Sequence, residues 1–364
     1  MGLGVVGLGN VAELNVAGYL EHPACDVVAV CDTRIERAEA AARRWGVPRF
    51  YADLEALLAD PDVHAVEILT PTHLHRAHVL AAVAAGKHVS CQKPLATSVA
   101  DAREMAEAAA RAGVVLRVTE CFAHYPPLER ARALIRDGAI GRPLFVRIRT
   151  VVGQTDSAFQ RNLDADGYTW RFDERSPGGH LFDDMVHKYA MATWLVERDI
   201  VGVQAFMRRR DLFFEPLAAT FAYDDPELIG TMEVVYAKEM ELRSRYYGAD
   251  EFFEVQGEEG FVWVTRATGE LLDLAPVMLF RDRTMHGFTD LDADWGTGFR
   301  RASAHFVDSL LAGTTPDLTP DAAVKVLQLC FAVYQAADEG RPVDPRTVTD
   351  CWVPSGWPRP PGGA

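Results

Sequence analysis

Apolar positions in the first 120 residues fall into two alternating rhythms. Short apolar runs (LGVV at 3–6, DVVAVC at 26–31, AVEIL at 65–69, HVSCQ at 88–92 and VVLRVT at 114–119) are separated by stretches with apolar residues at helical spacing, among them ERAEAAARRW, RAHVLAAVAAG and SVADAREMAEAAARAG. Strands alternating with helices define βαβ units, and strands this continuously apolar belong to a parallel sheet covered on both faces. After Tyr125-Pro126-Pro127 the rhythm changes. A helical stretch, LERARALIRDG, and a Gly-Arg-Pro break lead into segments that alternate apolar and polar residues one by one: PLFVRIRTVVG, VGVQAFMRRR, LAATFAYDD, IGTMEVVYA and EGFVWVTRATG. A period of two with polar residues outward predicts an antiparallel sheet with one covered face. Amphipathic stretches at 298–313 and 319–340 predict helices that pack back on the body. The expected organisation is an α/β dinucleotide-fold domain over 1–122, an α+β domain with a large, mostly antiparallel open sheet over 123–350, and a Pro/Gly-rich tail over 351–364.

Composition narrows the classes. At 364 residues the chain exceeds the length at which single cores stop growing, in keeping with two domains. A net charge of -15 and a sequence pI near 5.2 argue against a partner made of nucleic acid or anionic membrane, since both need a basic footprint. The six cysteines (Cys25, Cys31, Cys91, Cys121, Cys330, Cys351) include no C-x-x-C pair, which points to a reducing compartment rather than a disulfide framework or a zinc knuckle. No basic stretch precedes an apolar run at the start, and nowhere do 18 uninterrupted apolar residues occur. A soluble cytoplasmic protein is expected.

Candidate chemistry begins at Gly7-Leu8-Gly9-Asn10-Val11-Ala12, a G-x-G-x-x-A motif that follows the first strand and opens a helix. The first glycine makes the tight turn, the second lets backbone amides approach a pyrophosphate, and the small third residue lets helix and strand pack closely. Asp32 ends the next strand, 25 residues after Gly7, where a carboxylate would accept both ribose hydroxyls of NAD and repel the 2′-phosphate of NADP. Thr33 and Arg34 follow it, so Asp32 could equally cap a helix, and Arg34 leaves room for NADP.

The other candidates lie at strand ends and on one helix. Lys93 stands at the carboxyl end of a sheet strand, where ligands sit in open α/β sheets. Thr70-Pro71 makes a turn after AVEIL, placing His75 to cap the next helix or border a nicotinamide. The H-x-H of His73 and His75 also resembles a motif of barrel-type metal-dependent hydrolases, a reading that fits poorly with the glycine fingerprint ahead of it. In PGGHLFDDMVH two glycines precede a helix starting near His180, on which Asp183 and His187 are i,i+4 and share a face, with His180 near it. An Asp-His pair can hold an imidazole ready as a general base. A structural histidine, or a metal held by His180, Asp183 and His187, are the competing accounts. Trp170, with Arg171 beside it, comes shortly before the paired glycines, and a tryptophan here can simply pack in a core.

In this order GLGNVA, Asp32, TPTHLH, AGKHVSCQKPLA, YTWR, SPGGHLFDDMVH and EGRPV resemble the glucose-fructose oxidoreductase / inositol dehydrogenase / MocA family over nearly the whole chain. The resemblance implies a Rossmann domain and an α+β domain whose open sheet makes oligomer contacts, here a homodimer or homotetramer. It implies NAD, bound through Gly7, Gly9, Asn10, Val11, Ala12, Asp32, Thr33, Arg34, Thr70, Pro71, His75, Lys93 and Pro94. No metal is expected. The implied activity is hydride transfer between the nicotinamide and a secondary alcohol of a sugar, glycoside or cyclic polyol. Lys93, Asp183 and His187 would be catalytic, and Lys93, Trp170, Arg171, His180, Asp183 and His187 would meet the substrate. The base is either His187 or Lys93. Two departures stand out. Gln92 replaces the acid of the family's Glu-Lys-Pro triplet, removing one influence that favours a protonated lysine. Met185 stands where a glycine is common. The family also contains redox-neutral enzymes that keep NAD tightly bound, as in glycoside cleavage through transient oxidation, and non-enzymatic nucleotide sensors.

Overall fold

The run Gly2–Val6 is buried along its whole length and forms β1, an inner strand of a six-stranded sheet. Its neighbours are β2 (Asp26–Cys31), β3 (Arg49–Tyr51), β4 (Ala65–Ile68), β5 (His88–Gln92) and β6 (Leu116–Thr119), in the order β3-β2-β1-β4-β5-β6 and all parallel. Helices Asn10–Leu20, Ile35–Trp45, Leu54–Leu58, Thr72–Ala84 and Val99–Ala112 make the crossovers. The strand order reverses between β1 and β4, the switch point at which doubly wound sheets hold ligands. The structure is a computed structural model that describes residues 1–162, 169–209 and 216–358. It divides into two units, Met1–Cys121 with Phe299–Leu327, and Phe122–Gly298 with Gln328–Ala364.

The first unit is therefore built from two separate stretches of chain. Phe306 and Val307, on helix Trp295–Ala312, join Leu3, Val5, Val16 and Tyr19 in one apolar cluster. Gly18 permits the approach, because a Cβ there would lie 2.3 Å from the Arg300 carbonyl oxygen. A buried polar network interrupts this apolar interior. Glu67, in the middle of β4, accepts from Tyr19 Oη and from Thr119 Oγ1 (2.9 Å), while Arg117 donates to Ser90 Oγ (2.9 Å) and to the Ala302 carbonyl (2.7 Å). Each buried polar atom of this group finds a partner, as burial demands.

The second unit holds an eight-stranded sheet. Its strands are β7 (Pro143–Gln154), β8 (Ile200–Met207), β9 (Leu217–Tyr223), β10 (Ile229–Glu241), β11 (Ala249–Gly257), β12 (Gly260–Val264), β13 (Val277–Arg281) and β14 (Thr284–Phe288), ordered β14-β13-β12-β11-β7-β10-β9-β8. Neighbours are antiparallel except β7 and β10, which run parallel. The one-by-one alternation resolves as expected: Val146, Ile148, Met232, Val234, Leu217 and Ala219 point inward, and Arg147, Arg149, Glu233 and Val235 outward. Helix Gly179–Trp194 lies on the covered side, tied to β9 by Tyr223 Oη donating to the Ala192 carbonyl (3.0 Å). The other face carries an aromatic ladder, Phe252, Trp263, Phe261 and Phe280, with successive centroids 5.7, 4.8 and 5.1 Å apart.

Candidate active site

The glycine motif of the first unit sits where β1 ends. Gly7 has φ +87°, and a Cβ there would come within 2.9 Å of Leu69 C and Thr70 N, so only glycine lets the loops after β1 and β4 meet. Gly9 is different. It is the N-cap of helix Asn10–Leu20, with extended backbone, no side-chain cap and nothing within 4 Å of a would-be Cβ. Ala12, buried in the core cluster, donates its N–H to the Gly9 carbonyl at 3.0 Å. Asp32, directly after β2, accepts the Leu8 N–H at its Oδ2 (3.0 Å) and the Arg34 N–H at its Oδ1 (2.9 Å), with Arg37 Nη1 3.6 Å away. Helix Ile35–Trp45 takes Arg34 as its N-cap, and Thr33 is exposed. An uncapped helix start approachable at Gly9, with a carboxylate at the end of the next strand, fits a dinucleotide's pyrophosphate and ribose.

Beside it stand the ends of β4 and β5. Thr70 Oγ1 lies 3.0 Å from His78 Nδ1, and Pro71 is the N-cap of helix Thr72–Ala84. His75 does not cap that helix. It is fully buried, with Nε2 2.7 Å from the Thr70 carbonyl oxygen and Nδ1 2.9 and 3.3 Å from those of Pro94 and Leu95. Burial pushes its imidazole down to about 4, although the three carbonyls pull the other way. With both nitrogens against main-chain oxygens, the His73/His75 pair offers no bidentate metal grip. Lys93 is half-buried, follows β5 and precedes a cis peptide to Pro94; its N–H donates to Gln92 Oε1 (2.9 Å). Gln92 Nε2 is buried without a hydrogen-bond partner among the described residues.

In the second unit, the paired glycines start the helix as the sequence suggests. Gly178 and Gly179 have φ of +86° and +65°, and Cβ atoms there would strike Tyr334 at 2.7 Å and Trp357 at 2.4 Å. Asp183 and His187 follow at one-turn spacing on helix Gly179–Trp194, both nearly buried. Asp183 Oδ2 accepts from Arg171 Nε at 2.8 Å, and the Arg171 guanidinium covers the buried Trp170 ring at 4.3 Å. The His187 ring lies against Phe122, centroids 4.7 Å apart. Met185 is buried in the core. The side chain of His180 lies outside the described residues.

Sequence reasoning overlooked what holds this helix. Lys188, fully buried, donates from Nζ to Asp184 Oδ2 (2.8 Å) and pairs with Glu251 Oε1 of β11 (3.2 Å), while the Thr268 N–H and Oγ1 donate to Glu251 at 2.9 and 3.1 Å. Burial opposes the ammonium, but the carboxylates of Asp184 and Glu251 outweigh it and hold Lys188 above the ordinary lysine range. The available signal was a lysine at i+4 from Asp184 inside an otherwise apolar stretch.

A six-stranded switch-point sheet with an open glycine loop, joined to a mostly antiparallel α+β unit that carries an Asp and a His one helical turn apart, defines a nicotinamide-nucleotide oxidoreductase with NAD as its cofactor. The chain belongs to the GFO_IDH_MocA oxidoreductase family: residues 1–120 match its NAD-binding Rossmann fold and residues 132–344 its C-terminal alpha/beta domain. It is 32% identical over 266 residues, 71% of each chain, to inositol 2-dehydrogenase of Acidothermus cellulolyticus. It is 29% identical to 1,5-anhydro-D-fructose reductase of Ensifer adhaerens, over 94% of this chain and 98% of that one. The fold matches that of an oxidoreductase from Agrobacterium radiobacter solved with NAD+, L-tartaric acid and magnesium, with a TM-score of 0.81 and 21% identity over 95% and 98% of the two chains. No helix among the described residues is long and apolar enough to cross a membrane.

Proposed function

We propose that the enzyme interconverts a secondary alcohol and a ketone on a sugar, glycoside or cyclic polyol, with Lys93, Asp183 and His187 as its catalytic residues. The names of the relatives, a reductase of an anhydrosugar and dehydrogenases of inositols, support this substrate class. The observation that carries the reading is the carboxylate and imidazole at one-turn spacing, held from behind by Arg171 and Phe122. Bound NAD supplies the hydride acceptor at its nicotinamide ring. In the oxidative direction, a ring nitrogen of His187 takes the hydroxyl proton. The Lys93 ammonium stabilises negative charge growing on the substrate oxygen. Asp183, fixed by Arg171, accepts a hydrogen bond from a neighbouring hydroxyl and orients the ring.

The test is a panel of sugars, glycosides and inositols with NAD or NADP, followed by the absorbance of the reduced nicotinamide. One or more panel members should reduce NAD, and His187→Ala and Lys93→Ala should each lower kcat by about 100-fold or more. Near-normal turnover in His187→Ala beside an inactive Lys93→Ala would move the base to lysine. NAD retained through purification with no net reduction by any substrate would replace the reading with redox-neutral chemistry.

The outer face of the second unit supports a second copy of this chain as partner, in a homodimer or homotetramer. Phe206, Val235 and Met285 are exposed on that face, which also carries the aromatic ladder among outward charges such as Arg147 and Glu233, and exposed large apolar side chains gathered on one face seek cover. Light scattering should give a multiple of 40.2 kDa for the wild type and the monomer mass for Phe261→Glu. Six cysteines with no C-x-x-C pair, five of them buried, support a cytoplasmic location, where thiols stay reduced.

A further inference from the structure

The fully buried ring of His75 stands between two strand ends that the proposed function uses. β4 and β5 are neighbours, with Ile68 paired to Cys91, and the chain leaving each one passes a carbonyl to the same imidazole: Thr70 from the first, Pro94 and Leu95 from the second. Carbonyl oxygens only accept, and a neutral imidazole has a single N–H to give. A proton on Nδ1 meets two oxygens, at 2.9 and 3.3 Å, whereas one on Nε2 meets a single oxygen at 2.7 Å. The residue immediately before Pro94 is Lys93.

We propose that His75 is a positioning residue for Lys93: its Nδ1–H, donated to the Pro94 carbonyl, fixes the peptide segment that aims the lysine, while the ring braces that segment against the loop after β4. The role rests on the reading of Lys93 as catalytic. It differs from nucleotide contact, because a ring with no exposed surface and main-chain oxygens at both nitrogens has no edge to offer a ligand. It also differs from bulk packing, because an apolar ring of the same size would leave the Pro94 and Leu95 carbonyls buried without this donor. Misplacing a catalytic group by about 1 Å costs roughly 100-fold in turnover, so a small loss of aim has a large readout.

Two amides separate the ends of the ring. The side-chain nitrogen of asparagine falls near the place of Nδ1, and that of glutamine near the place of Nε2. His75→Asn, which can still donate to Pro94, should keep kcat within about threefold, and His75→Gln should lose about 10- to 100-fold. Both should bind NAD, followed by fluorescence, within about threefold of the wild type, since the change is in aim and not in the nucleotide site. Equal losses of kcat in the two variants, losses that track melting temperature, or full turnover in His75→Gln would each overturn the proposal. Lys93→Ala is measured alongside: if it turns over normally, the reading of Lys93 has failed and the positioning role with it. If Lys93→Ala is inactive while His75→Gln is normal, the positioning role alone has failed. Should either His75 variant not fold, 15N NMR of the wild-type ring decides the matter, with protonated Nδ1 expected and a proton on Nε2 alone overturning the proposal.

Discussion

Replacing Lys188 with methionine tests whether the helix bearing Asp183 and His187 is anchored by charge. Methionine keeps the length and apolar stem of lysine, so packing against the Phe122 ring, 5.4 Å from Nζ, changes little. What disappears is the ammonium 3.2 Å from Glu251 and 2.8 Å from Asp184. Asp184 is 22% exposed and can turn to water, whereas the Glu251 side chain is 2% exposed and, among the described residues, keeps only Thr268 as donor. At an effective dielectric of about 20, the lost attraction at 3.2 Å is about 5 kcal/mol, and breaking one partner of a buried pair typically costs about 3–5 kcal/mol. A loss of about 4 kcal/mol is therefore expected from urea unfolding followed by tryptophan fluorescence, with a melting temperature lower by about 8–16 °C for a unit of this size. The cost comes from an uncompensated carboxylate, so removing its charge relieves it. Lys188→Met combined with Glu251→Gln should recover most of the loss. A deficit below about 1 kcal/mol, or one that the double variant does not recover, would refute the reasoning.

Three further outcomes are expected. Gly9→Ala places a Cβ in open space at an unstrained φ of -73°, so melting should shift by less than about 2 °C, while NAD binding measured by titration calorimetry should weaken at least about tenfold; unchanged affinity would remove the pyrophosphate from this helix start. Asp32→Ser removes the charge that opposes a 2′-phosphate, and the ratio of kcat/KM for NADP over NAD should rise about tenfold or more, an unchanged ratio ruling out the ribose role. Burial raises the Asp250 carboxyl from 3.8 to about 6, and the Glu251 charge beside it adds to this, while the Leu271 N–H, Arg149 and Arg266 oppose it. The folded state thus holds this proton more tightly than the unfolded one, so wild-type stability should fall as pH rises from about 4 to about 6. Asp250→Asn should flatten that slope in urea titrations, and an unaltered slope would place the proton elsewhere.

The parts of this molecule legible in its sequence are those whose physics is local. Gly7 and Gly9 announce a turn because a tight βα connection needs them at that spacing, and Asp183 and His187 share a face because one helical turn is close to four residues. The hairpin between β13 and β14 carried no such signal. Its turn residues Asp282 and Arg283 have φ of 51° and 64° with neither glycine nor asparagine to advertise it. Lys188 and Glu251 meet across 63 positions and two kinds of element, a pairing that no periodicity encodes. His75 read as a cap or a ligand because a histidine after a strand end invites either; only the carbonyls around both nitrogens showed it to be interior. The stretch 298–313 was visibly amphipathic, but nothing in its pattern says which body its apolar side covers.

That stretch sets the order in which the protein can be made. The nucleotide-binding half emerges first from the ribosome, yet Phe306 and Val307, which complete its apolar cluster, are translated only after the long first stretch of the other unit, Phe122–Gly298. Until then Leu3, Val16 and Tyr19 lack part of their cover, and the nascent chain presents a sticky surface through most of its synthesis. Closing the gap requires joining segments separated by well over a hundred residues, a contact of high sequence separation that slows the final step of folding. For the same reason, a gene fragment ending at Cys121 does not encode a finished domain. A polypeptide made from it would carry the strands in order but expose the groove that Phe306 fills, and a supplied peptide spanning 299–327 would be its natural complement.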